Sequence, residues 1–498
     1  MSTIETQAEE SLDPQDWQAL RQLGHQMVDD MLGLLENIEK EPVWQPMPDE
    51  VLAYFQQPLP QDAEGEQQAY QDFLEYVLPY RMGNIHPLFL GWVMGNGLPY
   101  AMLAEMLASG MNSNLGGGNN APVYVETQVI NWLKELLGFP EEASGIFTSG
   151  GSMANLIGLT VARNRHAGFD VRLEGMCEAA GKLVVYASNQ VHSSVHKAVE
   201  LLGLGRNALR EIRVDDQFSM DPMALREAIT ADRAAGLHPL CVVGTAGTTN
   251  TGAFDPLETL ADICAAENLW FHVDGAFGAM TALSPQDWHL VKGMERADTL
   301  AFDLHKWMYM PFEAACTLVR SEYDHRYAFS LTPEYLTHTQ RGPAAGAVWP
   351  SDYDIQLTRG FRALKVWMTL KAYGSEKFGR LIHQNIAQAH YLAEQVDAQP
   401  KLERLAPVTL NIVCFRYRAH GLSAKELDHF NQELLLRLQE QGTALPTYTT
   451  INGNYVLRAC ITNYRTRRRD LDLMLESILD LGLALEKEWP QVATELRQ

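Results

Sequence analysis

Apolar residues near the N-terminus follow a helical period. They recur at three- and four-residue spacing, at Trp17, Leu20, Leu23, Met27, Met31 and Leu34. This spacing predicts an amphipathic helix over residues 14–40, with Asp13 as its capping residue and Pro14 in its first turn. Because no neighbouring segment offers a matching apolar face, we expect the stripe to pack on another domain or on a second subunit.

Between residues 96 and 320, helical stretches alternate with short apolar runs. The runs are Gly145–Thr148, Leu183–Ser188, Leu240–Thr245, Leu269–Asp274, Thr299–Asp303 and Ala315–Val319. They lack in–out alternation, which is typical of strands buried on both faces. This order predicts an α/β fold, a mostly parallel sheet with helices on both faces. In such sheets ligands bind beyond the carboxyl ends of the strands.

After residue 375 the pattern changes again and predicts a smaller α+β domain. Its helices are expected near 376–398, 424–442 and 469–496, and its strands near Val408–Arg418 and Tyr455–Ile461. We therefore divide the chain into an N-terminal helical segment (1–95), a large α/β domain (96–375) and a small C-terminal domain (376–498).

Composition narrows the class of protein. The 62 acidic residues outnumber the 39 basic residues, for a net charge of −23, and such a surface repels nucleic acid and anionic membranes. Six widely spaced cysteines without a CxxC pair fit reduced thiols. No apolar run reaches the ~18 residues of a membrane span, and the polar N-terminus is unlike a signal peptide. The sequence therefore predicts a cytoplasmic protein with neither a nucleic-acid nor a membrane partner.

Two ionisable residues stand at the ends of predicted strands. Lys306 comes just after the run Thr299–Asp303, and a lysine among apolar groups loses solvation and becomes a nucleophilic amine. Asp274 ends the run Leu269–Asp274, where a carboxylate is costly unless it meets a cation. A surface lysine and a helix-capping aspartate are the plain alternatives. A helix-sized segment separates the two residues, so neighbouring strand ends could bring them together.

A glycine turn follows the first predicted strand of this sheet. Gly150, Gly151 and Ser152 separate the strand from a helix of small and apolar residues. Glycine permits close backbone approach, and the N–H groups of a helix N-terminus bind phosphate. The turn lacks the GK[ST] ending of nucleoside-triphosphate loops. The alternative is an ordinary strand-to-helix turn.

Two further turns carry polar side chains. His192 follows the run Leu183–Ser188 and could stack on a flat ring, and Thr249 lies in a hydroxyl-rich turn after Leu240–Thr245. His192 and His196 have the spacing of helical metal ligands, but no third ligand accompanies them, so we predict no metal site.

Together these features form an ordered set along one sheet. Pyridoxal 5′-phosphate (PLP) needs such groups: an amine for its aldehyde, an acid for its ring nitrogen and a phosphate cradle. With these residues the chain resembles the group II PLP-dependent amino acid decarboxylases, which include the aromatic-L-amino-acid, glutamate and histidine enzymes. The resemblance spans residues 70–490 and rests on His192–Val195, Gly247–Thr249, His272–Asp274, His305–Trp307, Leu331–Leu336 and Arg359–Lys365.

The resemblance implies a fold, an assembly and residue roles. The fold would be the type I fold of PLP-dependent transferases, like that of aspartate aminotransferase, in a homodimer whose N-terminal helices embrace the partner. Lys306 would bind the cofactor covalently, Asp274 would pair with its ring nitrogen, and His192 would stack on the ring. After carbon dioxide leaves, Tyr335 would protonate the substrate carbon. The other cofactor-binding residues would be Gly150, Gly151, Ser152, Thr249 and His305.

The resemblance indicates the substrate less directly than it indicates the cofactor. The resemblance places Trp92 and Leu115 in the side-chain pocket, with core packing as the alternative, and a glycine run at 116–118 would enlarge that pocket or admit a polar substrate. The predicted reaction converts an aromatic or bulky apolar L-amino acid to its amine and carbon dioxide. An acidic amino acid is the alternative substrate, and a decarboxylation-dependent aldehyde synthase ranks behind both. Asp303 replaces an asparagine common in the aromatic enzymes, and its role is open.

Replacing Tyr335 by phenylalanine tests the proton donor. Aldehyde synthases of this kind often carry phenylalanine at this position, so in air, with dioxygen as the oxidant, Tyr335→Phe is expected to shift the products from amine towards aldehyde and ammonia. Amine and aldehyde are quantified side by side in single reactions of variant and wild type. An unchanged product ratio would place the proton donor elsewhere.

Overall fold

The computed structural model of the protein describes residues 10–176, 181–331, 340–346 and 349–495. Its helices are α1 Trp17–Glu36, α2 Asp49–Tyr54, α3 Glu66–Asp72, α4 Pro99–Met111, α5 Ala121–Leu136, α6 Gly151–His166, α7 Val171–Glu174, α8 Ser193–Leu201, α9 Pro222–Ala234, α10 Leu257–Glu267, α11 Leu304–Trp307, α12 Glu322–Phe329, α13 Ala363–Tyr373, α14 Ser375–Ala398, α15 Ala424–Glu440 and α16 Arg468–Glu495. Its strands are β1 Phe89–Leu90, β2 Ser144–Thr148, β3 Leu183–Ser188, β4 Leu209–Ile212, β5 His238–Thr245, β6 Trp270–Asp274, β7 Thr299–Asp303, β8 Ala315–Val319, β9 Leu402–Arg404, β10 Ile412–Tyr417, β11 Leu445–Ile451 and β12 Asn454–Cys460.

The central sheet has seven strands in the order β2-β8-β7-β6-β5-β3-β4. All six predicted runs are strands of this sheet, and the short strand β4 is an addition. The strands β3 to β7 pair in parallel, whereas β8 runs antiparallel to both β2 and β7. The predicted α/β fold with a mostly parallel sheet is confirmed. The direction of β8 is not visible in its apolar pattern, because burial on both faces is the same for either direction.

Helices cover both faces of the central sheet. Successive side chains of a strand point to opposite faces, and in β3 Val184 lies in one apolar core while Val185 lies in another. In β5, Val242 and Val243 divide in the same way. The first core also contains residues of α5, α9 and α10, and the second contains residues of α6 and α8. This burial on both sides explains why the strand sequences lack alternation.

The C-terminal sheet has five strands in the order β1-β11-β12-β10-β9. Helices α14, α15 and α16 contribute to the apolar core at this sheet. The strand β1 pairs in parallel with β11, in the register Phe89 to Leu445. The division at residues 95 and 375 stays a prediction, and this pairing shows that the segment before residue 95 completes the small sheet.

The N-terminal helix α1 is shorter than predicted. It begins at Trp17, and the side chain of Asp16, not Asp13, caps it by accepting the backbone N–H groups of Gln18 and Ala19 at 2.8 and 3.1 Å. Asp16 adjoins the first helical residue, whereas Pro14 lies outside the helix. No residue of α1 is buried, and Trp17 is 55% exposed. Among the described helices, none combines the length and the apolar character that a bilayer span requires.

One buried ion pair joins three parts of the large domain. The Arg359 guanidinium donates to Glu126 on α5 at 2.6 Å, to the carbonyl of Phe147 on β2 at 2.8 Å and to the carbonyl of Leu115 at 3.1 Å. Both charged side chains are at most 1% exposed. Their mutual charge compensation therefore holds α5, β2 and the loop at residue 115 together.

Removing one partner of this pair is expected to destabilise the fold. Arg359→Met leaves the Glu126 carboxylate buried without its cation, at a cost of about 3–5 kcal/mol. The double variant Arg359→Met/Glu126→Leu is expected to recover most of that loss, because no unpaired charge remains. Thermal and denaturant unfolding measure the stability of both variants. Arg380→Met, which removes one partner of an exposed surface ion pair, is the control. Equal destabilisation by the single and double variants would contradict the charge argument.

Candidate active site

Asp274 and Lys306 lie at the same edge of the central sheet. The strands β6 and β7 are parallel neighbours, with Asp274 opposite Ala301. Asp274 is the last residue of β6, and α11, which carries Lys306, follows β7 directly. Backbone hydrogen bonds from Gly275 to Ala301 and from Asp303 to Ala276 continue the pairing beyond the strands. The topology therefore brings the strand-end acid and the strand-end lysine to one site.

Asp303 is the direct partner of Lys306. The Lys306 amine lies 2.7 Å from Asp303 Oδ2, and His305 Nε2 lies 3.7 Å from the same oxygen. Asp303 is 1% exposed, and its Oδ1 has no hydrogen-bond partner among the described residues. Sequence reasoning left this residue open. Its position three residues before the lysine, on one side of a single helical turn, was the available signal.

The glycine turn faces this lysine. Gly150 precedes α6 and Gly151 begins it. A Cβ at Gly151 would lie 3.0 Å from Asp303 Oδ2, and one at Gly150 would lie 3.7 Å from Cε1 of His305. The helix N-terminus, with its free N–H groups, thus meets α11, and a side chain at Gly151 would crowd Asp303. Ser152 is exposed on the first turn of α6.

His192 adjoins the same charges. It caps α8, and its Nδ1 accepts the backbone N–H of Ser194 at 3.2 Å. The His192 side chain is exposed. The protein around it still removes some solvent from the ring, which lowers the pKa of His192. The charge of Asp274 opposes this shift and the charge of Lys306 adds to it. An exposed ring within electrostatic range of both residues is suited to cover a flat ligand between them.

Asn155 is a site residue that sequence reasoning missed. Its amide donates to Asp274 Oδ2 and to Ser194 Oγ, both at 3.0 Å. Asp274 also accepts the backbone N–H of Ala276 at 3.1 Å. The side chain of Asp274 is 2% exposed, so these donors offset the cost of burying a carboxylate. The signal was a polar residue in the third position after Ser152, among the small and apolar residues 153–158 of the helix.

Of the two residues predicted for the substrate pocket, the structure places only Trp92 at a cavity. Trp92 is half exposed and lines a cavity of about 980 Å³ with Asn250 and Thr449, whereas Leu115 is fully buried in the main core. Thr249, beside Asn250, is half-buried in the turn after β5. Tyr335 lies outside the described residues. The pocket assignments stay predictions.

The glycine run at 116–118 has a packing explanation. A Cβ at Gly116 would lie 1.9 Å from the carbonyl oxygen of Leu357, and one at Gly117 would lie 2.3 Å from the Trp349 ring. Close approach of these segments requires glycine at both positions. The run therefore does not by itself leave a larger pocket.

The arrangement fits PLP. The half-buried Lys306 amine, which Asp303 holds, and the turn at Gly150 and Gly151 lie on one side of the site. Asp274 supplies the acid that a pyridinium nitrogen requires, and the exposed His192 ring supplies a stacking surface. A mostly parallel sheet of this strand order, with a lysine just after β7, is the type I fold of PLP-dependent enzymes. Fold and site together define that class.

Comparison with known proteins narrows the class to a family. The model of the pyridoxal-dependent decarboxylase conserved domain matches residues 48–418. The chain is 33% identical to the aromatic-L-amino-acid decarboxylase of Bacillus atrophaeus over 484 residues, which covers 95% of this chain and 98% of that protein. It belongs to the pyridoxal-dependent decarboxylase family. The predicted family, the cofactor PLP and an amino acid decarboxylase activity are thereby confirmed.

Two further relatives show the range of this family. The phenylacetaldehyde synthase of Petunia hybrida is 31% identical and covers 90% of this chain and 91% of its own length. The crystal structure of Oryza sativa TDC with PLP and tryptamine superposes with a TM-score of 0.88 at 26% identity, over 96% of this chain and 100% of that chain. The fold is therefore shared over nearly the whole chain.

Gly95→Ala is expected to weaken cofactor retention. A Cβ at Gly95 would lie 1.6 Å from the carbonyl oxygen of His305, so the loop or the turn that carries Lys306 must move. Such overpacking costs about 1–3 kcal/mol. The PLP content of the purified variant is compared with that of Gly110→Ala, where nothing lies within 4 Å of the added carbon. Full PLP occupancy in Gly95→Ala would show that this contact does not position Lys306.

Proposed function

We propose that the protein decarboxylates an aromatic L-amino acid to its amine, with Lys306 as the residue that binds the cofactor. The convergence of Lys306, Asp303 and Asp274 at one sheet edge carries this proposal. The substrate class rests on the names of the relatives, an aromatic-L-amino-acid decarboxylase and a phenylacetaldehyde synthase, and on the Oryza sativa protein solved with tryptamine. Trp92, half exposed at the cavity, is the aromatic surface we assign to the substrate side chain.

Each residue of the site has a proposed role in binding the cofactor. When bound, PLP withdraws the electrons that are left on the substrate carbon as carbon dioxide departs. Asp274 would hold the proton of the ring nitrogen, and the hydrogen bonds from Asn155 and the Ala276 N–H offset the cost of burying its charge. His192 would cover the ring face, and Thr249 would lie beside it. The phosphate ligands we propose are Gly150, Gly151, Ser152 and His305.

His305 is suited to donate to a phosphate. Its Nδ1 accepts the backbone N–H of Ala314 at 3.2 Å, so the proton of the neutral ring is on Nε2, on the side of Asp303. Burial lowers the pKa of His305, which keeps the ring neutral near pH 7. The Nε2–H is then available to the group that the helix N-terminus binds.

Asp303 keeps the Lys306 amine in place. Asp303 Oδ2 pairs with the Lys306 amine at 2.7 Å from within the fold. This contact would orient the amine at the sheet edge, where it would bind PLP. We propose Tyr335 as the donor of the proton to the substrate carbon.

The assembly and location are proposed on separate grounds. A homodimer is supported by α1, a helix of twenty residues with no buried side chain and with Trp17 and Met27 exposed. A cytoplasmic location is supported by the cysteines of the described part of the chain, which are free and buried. The alternatives in substrate and product, an acidic amino acid or an aldehyde, are outcomes of the following experiment.

A substrate panel tests the proposed reaction. Carbon dioxide and amine are measured with every proteinogenic L-amino acid and with DOPA, and we expect turnover of aromatic substrates with equal amounts of both products. Lys306→Ala is expected to lose the yellow colour of bound PLP and all turnover, because it removes the amine that Asp303 holds at this edge of the sheet. Lys292→Ala, an exposed lysine paired with Glu258, is the control. Preference for glutamate or aspartate would refute the aromatic assignment, and a yellow Lys306→Ala protein would refute the lysine assignment.

A further inference from the structure

Behind Asp274, buried side chains form one continuous series of hydrogen bonds. The indole Nε1 of Trp270 donates to Thr299 Oγ1 at 2.9 Å, and this oxygen lies 2.8 Å from His272 Nδ1. His272 Nε2 lies 2.9 Å from Asn155 Oδ1. The Asn155 amide completes the series at Asp274. The series therefore runs from the first residue of β6 to the acid at its last residue.

The two ends of the series fix the direction of each hydrogen bond. An indole N–H only donates and an ionised carboxylate only accepts. Asn155 must turn its amide nitrogen to Asp274 and its carbonyl to His272, since the reverse would set two acceptors 3.0 Å apart. His272 therefore carries its proton on Nε2. Burial lowers the pKa of His272 to about 3, so the ring is neutral and its bare Nδ1 accepts the Thr299 hydroxyl proton.

The same amide also reaches His192. The second amide N–H of Asn155 donates to Ser194 Oγ at 3.0 Å, and this hydroxyl lies 2.8 Å from His192 Nδ1. The backbone N–H of Ser194 donates to the same nitrogen. His192 Nδ1 is therefore an acceptor, and a neutral His192 ring carries its proton on Nε2. One amide group is thus connected to both residues that the proposed function places at the cofactor ring.

Close packing restricts this series of hydrogen bonds to one arrangement. Asn155, His272 and Thr299 are at most 1% exposed. A Cβ at Gly158 would lie 2.7 Å from Cε1 and 2.8 Å from Nδ1 of His272, so the imidazole lies directly on the backbone of α6. A buried network that is fully satisfied in one arrangement restricts its members to that arrangement.

We propose that Asn155 is a positioning residue, which sets the direction of the Asp274 carboxylate and the proton of His192 at the same time. His272, Thr299 and Trp270 fix the orientation of Asn155 and do not themselves touch the cofactor. The inference rests on the proposed assignment of Asp274 and His192 to the cofactor ring. The hydrogen-bond directions themselves are a property of the cofactor-free chain and are tested there.

Cofactor affinity tests the positioning role. Asn155→Leu conserves volume but leaves Asp274 Oδ2 and His272 Nε2 without their partner, and it is expected to raise the dissociation constant of PLP about tenfold or more. The constant is measured by titrating the cofactor-free full-length chain with PLP and following its visible absorbance. Thr299→Val is expected to weaken binding in the same direction and Thr299→Ser to restore it. Asn164→Leu, which removes another buried amide of α6, is the matched control and is expected to bind PLP as the wild type does. An unchanged constant in Asn155→Leu would overturn the proposal.

Nitrogen-15 NMR of the histidine-labelled, cofactor-free chain tests the hydrogen-bond directions without a substitution in the series. The resonances of the two rings are assigned with His192→Gln and His272→Gln. We expect both rings to be neutral at pH 8 with the proton on Nε2, Ser194→Ala to shift the His192 nitrogens alone, and Asn155→Leu to shift both. A proton on Nδ1 of either ring would overturn the inference. A yellow Lys306→Ala protein would instead refute the proposed function and leave these tautomers unchanged.

Discussion

A carboxylate buried at the end of a central strand is the constraint on which the site depends. Asp274 is almost fully enclosed, and an ionised group in that position is tolerated only where donors surround it. Asn155 and the backbone after β6 are those donors. The residue is therefore prepared for a cation, and a protonated pyridine ring is a cation of suitable shape. The lysine, the glycine turn and the histidine lie near this charge, and one cofactor whose ring nitrogen pairs with the charge would contact all three.

The architecture of the sheet makes that arrangement possible. Parallel strands end at one edge, so the turns after β3, β5, β6 and β7 meet there although they are far apart in sequence. The antiparallel β8 separates β2 from β7, yet α6, which follows β2, packs across β6, β7 and β8 and brings its N-terminus to α11. Asp303 lies beside Lys306, with its Oδ2 2.7 Å from the lysine amine. The negative charge of Asp303 is balanced by the amine that it holds.

Local patterns were sufficient for much of the fold. The six apolar runs of the large domain are strands because burial on both faces requires continuous apolar sequence, and the helices α14 and α15 begin within a residue of their predicted starts because their periodicity is clear. The start of α1 was wrong by three residues, since two aspartates precede Trp17 and only the backbone geometry decides which one caps the helix. Strand β1 was missed because two residues carry no period, and its partner β11 is more than 350 residues away.

The sequence by itself determined the sheet class, the family resemblance, and the candidates Lys306 and Asp274, because strand-end charges next to apolar runs are visible without knowing their neighbours. Only the tertiary structure decided that Asp303 pairs with Lys306, that Asn155 connects Asp274 to Ser194, and that Leu115 is fully buried. The reason is physical. Periodicity records which side of an element is buried, whereas a hydrogen bond depends on distances of a few ångströms between elements, and only the packing of those elements sets such distances.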